Sequence, residues 1–330
     1  MNLRLGTRAS LLATTQSGTV ADALRALGHE VEIVEIVSEG DLTQAAGTSL
    51  VGSSTGVFVN ALRDALHDGR IDLAVHSLKD LPTSPAPGLA IAAIPAREDP
   101  ADAVVARDGL ALAELPLGAR VGTGSPRRVT QISRLRPDVT VAGVRGNIDT
   151  RIGKVHNGEY DAVILARAGL ARIGRLDEIA EVLDPLTILP APGQGALAVE
   201  CRADSPEAAA ISALDDASSR AAVTAERALL AELEGGCSAA IGAYARIEGD
   251  LLVLDAIALS PTGAHAIRQS AEGEVAEAAA LGVRLAQNML AAGAASLLDE
   301  QSPQPSAAQM NTQLNIMGGT PAPTHESAQA

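Results

Sequence analysis

The chain of 330 residues has no tryptophan, one phenylalanine and two tyrosines. So few rings leave almost nothing on which to stack bases. With a formal net charge of −15 and no broad basic face, this argues against a nucleic-acid binder. The two cysteines, Cys201 and Cys237, are too few for a disulfide framework and lack metal-ligand spacing, so a reduced compartment and no metal site are expected. No stretch of roughly 18 apolar residues free of charge occurs, so no membrane span is expected. The opening MNLRLGTRAS has no apolar run followed by a small-residue cleavage site, and the reading is of a cytoplasmic protein. Lysine is scarce too, with only Lys79 and Lys154 against 23 arginines. Together with the richness in Ala, Gly and Val, that bias reflects a GC-rich genome. Position, not abundance, must carry any argument about arginine.

One position does. The segment Val121 to Lys154 holds seven Arg or Lys against two Asp, a formal +5 inside an acidic chain. A reversal of that size points to an anion. Ser125 and Pro126 read as the N-cap and first residue of a helix, which puts Arg127 and Arg128 in its first turn. Cations there oppose the positive end of the helix dipole, so something negative is expected between them. The free N–H groups of the turn would bind the same anion.

A hydrophobic fraction of 47% and this length leave room for two or three domains, each with a core. The first 95 or so residues alternate short β-rich runs with helical patterns: LRLGT, a helix from about Ser10 to Leu27, EVEIVEIV, a helix near Val57 to His67, then DLAVHS. From Ala119 the pattern restarts with ARVGTGS, a helix ending before Pro137, VTVAGV, a helix near Ile148 to Asn157, and AVILAR. Such alternation predicts a parallel sheet with helices on both faces, twice over, with a cleft between the lobes. From about Ser218 a helix ends at Gly235 and Gly236, and the strands SAAIGAYARI, LLVLDAIAL and HAIRQSAEG and an Ala-rich helix to about Leu298 follow, a smaller α+β domain. From Asp299 onward, 299–330 reads as a disordered tail poor in core-forming residues.

Ligands of open α/β lobes sit beyond the carboxyl ends of the strands. Three such ends carry chemistry: Ser77 to Asp80, Thr123 to Arg128, and Arg145 to Arg151, and they can converge on one cleft. Asp80, beside Lys79, could hold amine or pyrrole N–H groups and stabilise a cation formed in a reaction; it also reads as a solvated turn aspartate. At about 4 Å and an effective dielectric near 20, the first role is worth roughly 4 kcal/mol, or about three powers of ten in rate. Arg145 and Arg151, taken singly, read as surface arginines; with Arg127 and Arg128 in the same crevice, unpaired charge would be costly without an anionic ligand. Gly122 and Gly124 lack a third glycine, since Arg127 stands where it would be, so no nucleotide is expected. His76 reads as a satisfied core histidine. Cys237, directly after a Gly-Gly break, reads as a reachable loop thiol suited to a covalent tether, whereas Cys201 in ALAVEC reads as a packed core thiol.

The segments LRLGTRAS, AVHSLKDLPT, GTGSPRR followed by VRGN and TR, YDAVILARAGLARIG, LPAPGQGALAVECR and ELEGGCSAAIGAYA resemble, in order, those of the hydroxymethylbilane synthase (porphobilinogen deaminase) family. The resemblance covers residue 3 to about 245. It implies two periplasmic-binding-protein-like α/β lobes with a smaller α+β C-terminal domain, divided as 1–97 plus about 196–214, 98–195, and 215–298, with the tail 299–330 after them. It also implies a transferase, acting as a monomer, that joins four porphobilinogen units head to tail with release of ammonia. Water then frees the linear 1-hydroxymethylbilane of haem and other tetrapyrrole biosynthesis. Further implied is a dipyrromethane cofactor, joined as a thioether to Cys237, with Asp80 the catalytic carboxylate that steadies the azafulvene cation. Lys79, Asp80, Thr123, Ser125, Arg127, Arg128 and Arg151 would hold the cofactor. Arg8, Ser10, Gln16, Arg145, Arg172 and Gln194 would receive substrate, and Phe58 would follow a mobile lid over roughly Glu39 to Gly56. A six-pyrrole chain would carry about twelve carboxylates, which planar arginine forks bind bidentately.

The chain departs from the family's common pattern where usual lysines become Thr55 and Asn60, a glutamate becomes Ala61, RASLLA replaces RQSPLA, and Gly124 and Pro126 replace Ser and Leu. These touch lid contacts and affinity, not Asp80 or Cys237. A non-enzymatic anion receptor built from the two lobes alone would lack a modified cysteine, and would usually bring a secretion signal or a DNA-binding domain.

Overall fold

The computed structural model describes residues 1–37, 54–233 and 240–298, with the side chains of 54–58 left out. Cys237, most of the expected lid segment and the tail after residue 298 therefore lie outside the described residues.

The first lobe begins with strand β1 (Asn2–Thr7), helix α1 (Leu11–Ala26) and strand β2 (Glu30–Glu35). Ser10 caps α1, its hydroxyl accepting from the Ala13 N–H, which explains where the helix starts. Helix α2 (Ser54–His67), β3 (Leu73–Ser77) and β4 (Leu89–Ala93) follow. The chain then crosses to a second lobe of β5 (Asp102–Ala106), β6 (Arg120–Gly122), helix α3 (Pro126–Leu135), β7 (Thr140–Ala142), α4 (Ile148–His156), β8 (Ala162–Ala166), α5 (Arg167–Arg172) and β9 (Glu181–Val182). It returns as β10 (Leu197–Arg202) and the short α6 (Ala208–Ser212).

The first sheet runs β2-β1-β3-β10-β4 and the second β7-β6-β8-β5-β9. In each, the three strands at one side are parallel, as the alternation predicts. The fourth strand is antiparallel to both neighbours: β10 in the first sheet, β5 in the second. The expectation of wholly parallel sheets is corrected there, because β5 and β10 are the strands that follow the two crossings and enter each lobe from the opposite end. Apolar clusters lie on both faces of each sheet, around Val20 and Leu24 of α1 or Leu62 and Leu66 of α2, and around Ile132 of α3 or Ile152 and Leu170 of α4 and α5. Cys201 is fully buried in β10, and burial pushes its thiol up.

The third part packs helix α7 (Ala217–Glu232) and helix α8 (Ala278–Ala291), followed by α9 (Ala294–Leu298), on an antiparallel sheet of β11 (Ile241–Glu248), β12 (Leu251–Leu259) and β13 (Ala266–Glu274). Ile241, Ala243 and Ala245 alternate inward against Leu229, Leu281 and Leu285. Small residues let the two long helices touch, since a Cβ on Gly282 would stand 2.2 Å from the Ala225 carbonyl oxygen.

The two crossings, residues 94–101 and 183–196, touch each other. Glu98 N–H donates to the Gly195 carbonyl at 3.2 Å. Gly195 has φ +87° and a Cβ there would fall 2.3 Å from the Glu98 carbonyl oxygen, so both its backbone and its lack of a side chain are required. Gly195→Ala is expected to destabilise the protein by about 2 kcal/mol or more. Urea unfolding checks this; an unchanged midpoint would mean the crossings separate at no cost.

Candidate active site

Each wall of the cleft is made by a strand end. After β3 the chain tightens into a single 3-10 turn, Leu78–Asp80, held by the fully buried Leu78, whose N–H donates to the Ala196 carbonyl at 3.0 Å. That anchor turns Lys79 and Asp80 toward the second lobe. Opposite, Asn147 caps α4 by accepting from Thr150 N–H at 2.8 Å, and Gly146 with φ +111° lets the loop after β7 turn back. Arg151, one turn into α4, donates through Nε to the Gly146 carbonyl at 2.8 Å. Between them lies a cavity of about 340 Å3, within the size range of small-molecule sites.

Of the expected site residues, Arg8, Ser10, Gln16, Lys79, Asp80, Arg128, Arg151 and Arg172 line this cavity. The three strand ends do converge. Gln16 is buried and donates to Ser77 Oγ at 3.0 Å; Arg172 donates to the Gly195 carbonyl at 2.6 Å. Five cationic side chains thus line the cavity with two carboxylates, Asp80 and Asp149, and Asp149 is paired with Arg175 at 2.9 Å. A smaller cavity of about 120 Å3 shares Arg8, Ser10, Gln16, Ser77 and Asp80 and adds His76. His76 is buried as expected, but the reading of a satisfied histidine is corrected, since its Nε2, 3.2 Å from Glu200 Oε2, makes no hydrogen bond. Arg63 grips the same carboxylate from α2 at 2.8 Å.

Thr123, Ser125, Arg127, Arg145 and Gln194 are not on the cavity wall. Arg145 is exposed, Ser125 is half-buried and caps α3 without a side-chain bond, and Thr123 is buried with its hydroxyl accepting from Ser125 N–H at 3.3 Å. Phe58 lies in α2 with its side chain outside those described, as is that of Thr55; Asn60 is exposed and Ala61 packs on the core.

The negative group expected between the two arginines is not left to a ligand alone, since the protein supplies a carboxylate there. Asp102, the first residue of β5 and fully buried, lies between them. Arg127 Nη2 donates to its Oδ2 and Arg128 Nη2 to its Oδ1, each at 2.7 Å. The other ends of the guanidiniums donate to the Leu189 carbonyl at 2.6 Å and the Ile164 carbonyl at 3.0 Å. Gln194, also buried, donates to Asp102 Oδ1 at 2.7 Å and accepts from Lys79 Nζ at 3.3 Å and Arg128 Nη2 at 3.4 Å. Nothing in DAVVA marks Asp102 as special; the one sign is a charge at the head of an otherwise apolar strand.

The electrostatics follow from enclosure. Asp80 is open to the cleft by its accessible surface, yet walled by protein on its other sides. The walls push its carboxyl up from the usual range while Lys79, Arg8 and His76, in that order, pull it back. Lys79 is brought down to about 8, first by burial and then by Arg128, against the opposite pull of Asp80 and Asp102. Burial alone would raise Asp102, but Arg127 and Arg128 hold it well below the carboxylate range. Burial lowers Arg127, Arg151 and Arg172 as well. Among the described residues no cluster of His, Cys, Asp and Glu could hold a metal, and no helix is long and apolar enough to cross a membrane.

Comparison with known proteins gives matches along most of the chain. Residues 3–210 match the porphobilinogen deaminase, dipyrromethane cofactor binding domain, and residues 220–291 match the porphobilinogen deaminase C-terminal domain. A porphobilinogen deaminase of Mycobacterium marinum is 52% identical over 314 residues, covering 92% of this chain and 99% of that one. One from Mycobacterium tuberculosis is 52% identical over 306 residues, covering 90% and 98%. An arginine-specific periplasmic binding protein of Salmonella typhimurium superposes with a TM-score of 0.36 at 16% identity, over 64% of this chain and 91% of that one, a distant likeness that says nothing of what this chain binds.

Proposed function

The chain belongs to the porphobilinogen deaminase family, and we propose that within the family's reaction Asp80 is its catalytic carboxylate and Cys237 the point of cofactor attachment. The activity is that of a transferase of tetrapyrrole biosynthesis: four porphobilinogen molecules are condensed head to tail, with loss of ammonia, to 1-hydroxymethylbilane on a dipyrromethane primer. The observation that carries the assignment of Asp80 is the cleft itself, which Asp80 lines together with Arg8, Lys79, Arg128, Arg151 and Arg172.

The described residues fit a dipyrromethane. Its acetate and propionate groups need several cationic donors, and Arg127 Nε and Arg128 Nε are buried without a protein acceptor. Lys79, Arg128 and Arg151 would hold those carboxylates, with Thr123, Ser125 and Arg127 shaping the floor behind them. When bound, the cofactor supplies the pyrrole carbon to which the first substrate is joined. Arg8, Ser10, Gln16 and Arg172 would orient the incoming substrate by its own carboxylates, with Arg145 at the rim, Gln194 beneath and Phe58 beside the lid. Asp80 accepts hydrogen bonds from pyrrole N–H groups and opposes the positive charge left on the substrate as ammonia departs.

Supporting features extend to organisation. The return of β10 to the first sheet favours a first domain of 1–97 plus about 196–214, a second of 98–195 and a third of 215–298. The protein is a cytoplasmic monomer that binds no nucleic acid, in keeping with its acidity.

Intact-protein mass spectrometry tests the tether. The protein made in cells supplied with porphobilinogen is expected to exceed its translated mass by one dipyrrole unit, and Cys237→Ala to lose that increment completely. An adduct that survives in the alanine variant would move the attachment elsewhere.

A further inference from the structure

We infer that Asp102 is a positioning residue for the reaction: bound between Arg127 and Arg128, and bridged by Gln194 to Lys79, it fixes the place and the ionisation of that lysine beside Asp80. The inference rests on the functional reading above, since it concerns the lysine of the proposed cofactor site.

The geometry is that of a buried hub. Asp102 is fully buried and takes three donors at 2.7 Å, from Arg127, Arg128 and Gln194. It stands where the first crossing enters the second sheet, and Gln194 stands on the second crossing, so the hub sits on both connections between the lobes. Gln194 Nε2 also donates to the Pro100 carbonyl at 2.7 Å, which fixes the amide's orientation: its oxygen must face Lys79 and Arg128. A side chain that never reaches the cavity wall therefore aims one that does.

Charge makes the same link. Lys79 faces Asp80 on its own turn, Arg127 and Arg128 on α3, and Asp102 on β5. Two buried guanidiniums against one carboxylate leave a net positive floor, which opposes the ammonium. Without Asp102 the floor would carry two uncompensated charges, and Lys79 would give up its proton at lower pH. A neutral Lys79 would lose much of its hold on a ligand carboxylate at the pH where the enzyme works.

The chain's two lysines make this measurable without turnover. Reductive 13C-methylation of the holoenzyme, with Lys79→Arg to assign signals, follows Lys79 and Lys154 separately by NMR. Lys79 is expected to titrate at least about one pH unit lower in Asp102→Asn than in the wild type, a roughly tenfold loss of proton affinity. Lys154 should not move. In Asp102→Asn with Arg127→Gln, which removes one charge of each sign, Lys79 should return to within about half a unit of the wild type. The alkaline limb of kcat should shift in parallel.

An unshifted Lys79 in Asp102→Asn overturns the inference, as does a shift that the double variant fails to reverse. Should the single variant not fold, the double variant decides; its own failure to fold also counts against charge balance as Asp102's role. A wild type that carried no dipyrrole and had no turnover would sink the functional reading instead, while leaving the lysine titration readable.

Discussion

Asp80→Asn is expected to keep the fold and lose about three powers of ten in turnover, the worth of roughly 4 kcal/mol between unit charges about 4 Å apart at an effective dielectric near 20. Asparagine can still accept a hydrogen bond from a pyrrole N–H, so binding survives better than the chemical step. What disappears is the negative charge facing a cation that exists only as ammonia leaves. The expected signature is thus a fall in kcat with KM changed little. Stability should not suffer, since Asp80 opens to the cleft and its neutral form is the one that enclosure favours. The pH profile is a second handle. Enclosure raises the Asp80 carboxyl, so as pH falls the protonated, inactive form takes over at a higher pH than for a free aspartate. That acid limb should vanish in Asp80→Asn, leaving the alkaline limb of Lys79, itself moved lower by the loss of the Asp80 charge. Rapid-quench measurement of ammonia release against pH reads both. Turnover within tenfold of the wild type, with the acid limb intact, would remove Asp80 from the chemistry.

Much of this site is legible in the sequence, because its parts follow local rules. Ser125 with Pro126 reads as a helix start, and α3 begins there, while the helices expected from about Ser10 and near Ile148 begin at Leu11 and Ile148. Strand ends bearing Lys79–Asp80 and the arginines converge because parallel strands present the same end to one edge. What stayed hidden depends on residues far apart in the chain. The neighbours of β10 in the first sheet, β3 and β4, lie more than a hundred residues earlier, and no period reveals that pairing. The expected negative partner of Arg127 and Arg128 exists, but it is Asp102, some 25 residues upstream, and not only a ligand. Net local charge foretold the need for an anion; only the fold could say that the protein supplies part of it. The lid and Cys237 fall outside the described residues, so their expected roles rest on the family resemblance.

Glu226→Gln is expected to cost about 3–5 kcal/mol, a large share of a domain's whole stability. Glu226, on α7, is fully buried and takes four donors: Arg97 Nη1 at 2.7 Å and Nη2 at 3.0 Å, Gly193 N–H at 2.7 Å and Ala245 N–H at 2.9 Å. Arg97 belongs to the first crossing, Gly193 to the second and Ala245 to β11, so one carboxylate ties the third domain to both connections between the lobes. Glutamine is nearly the same size, but each carboxylate oxygen accepts from two of these donors, so its amide nitrogen would point donor to donor at two of them, and Arg97 would keep a buried charge with no carboxylate against it. Removing both charges with Arg97→Met and Glu226→Met should recover only part of the loss. The backbone N–H groups of Gly193 and Ala245 would still be buried without an acceptor, at about 1–3 kcal/mol each. Urea unfolding of the holoenzyme gives the comparison, read in midpoint and slope so that a separate unfolding of the third domain would show as a second transition. A Glu226→Gln midpoint within about 1 kcal/mol of the wild type would mean that water reaches the carboxylate and that the three domains are held together elsewhere.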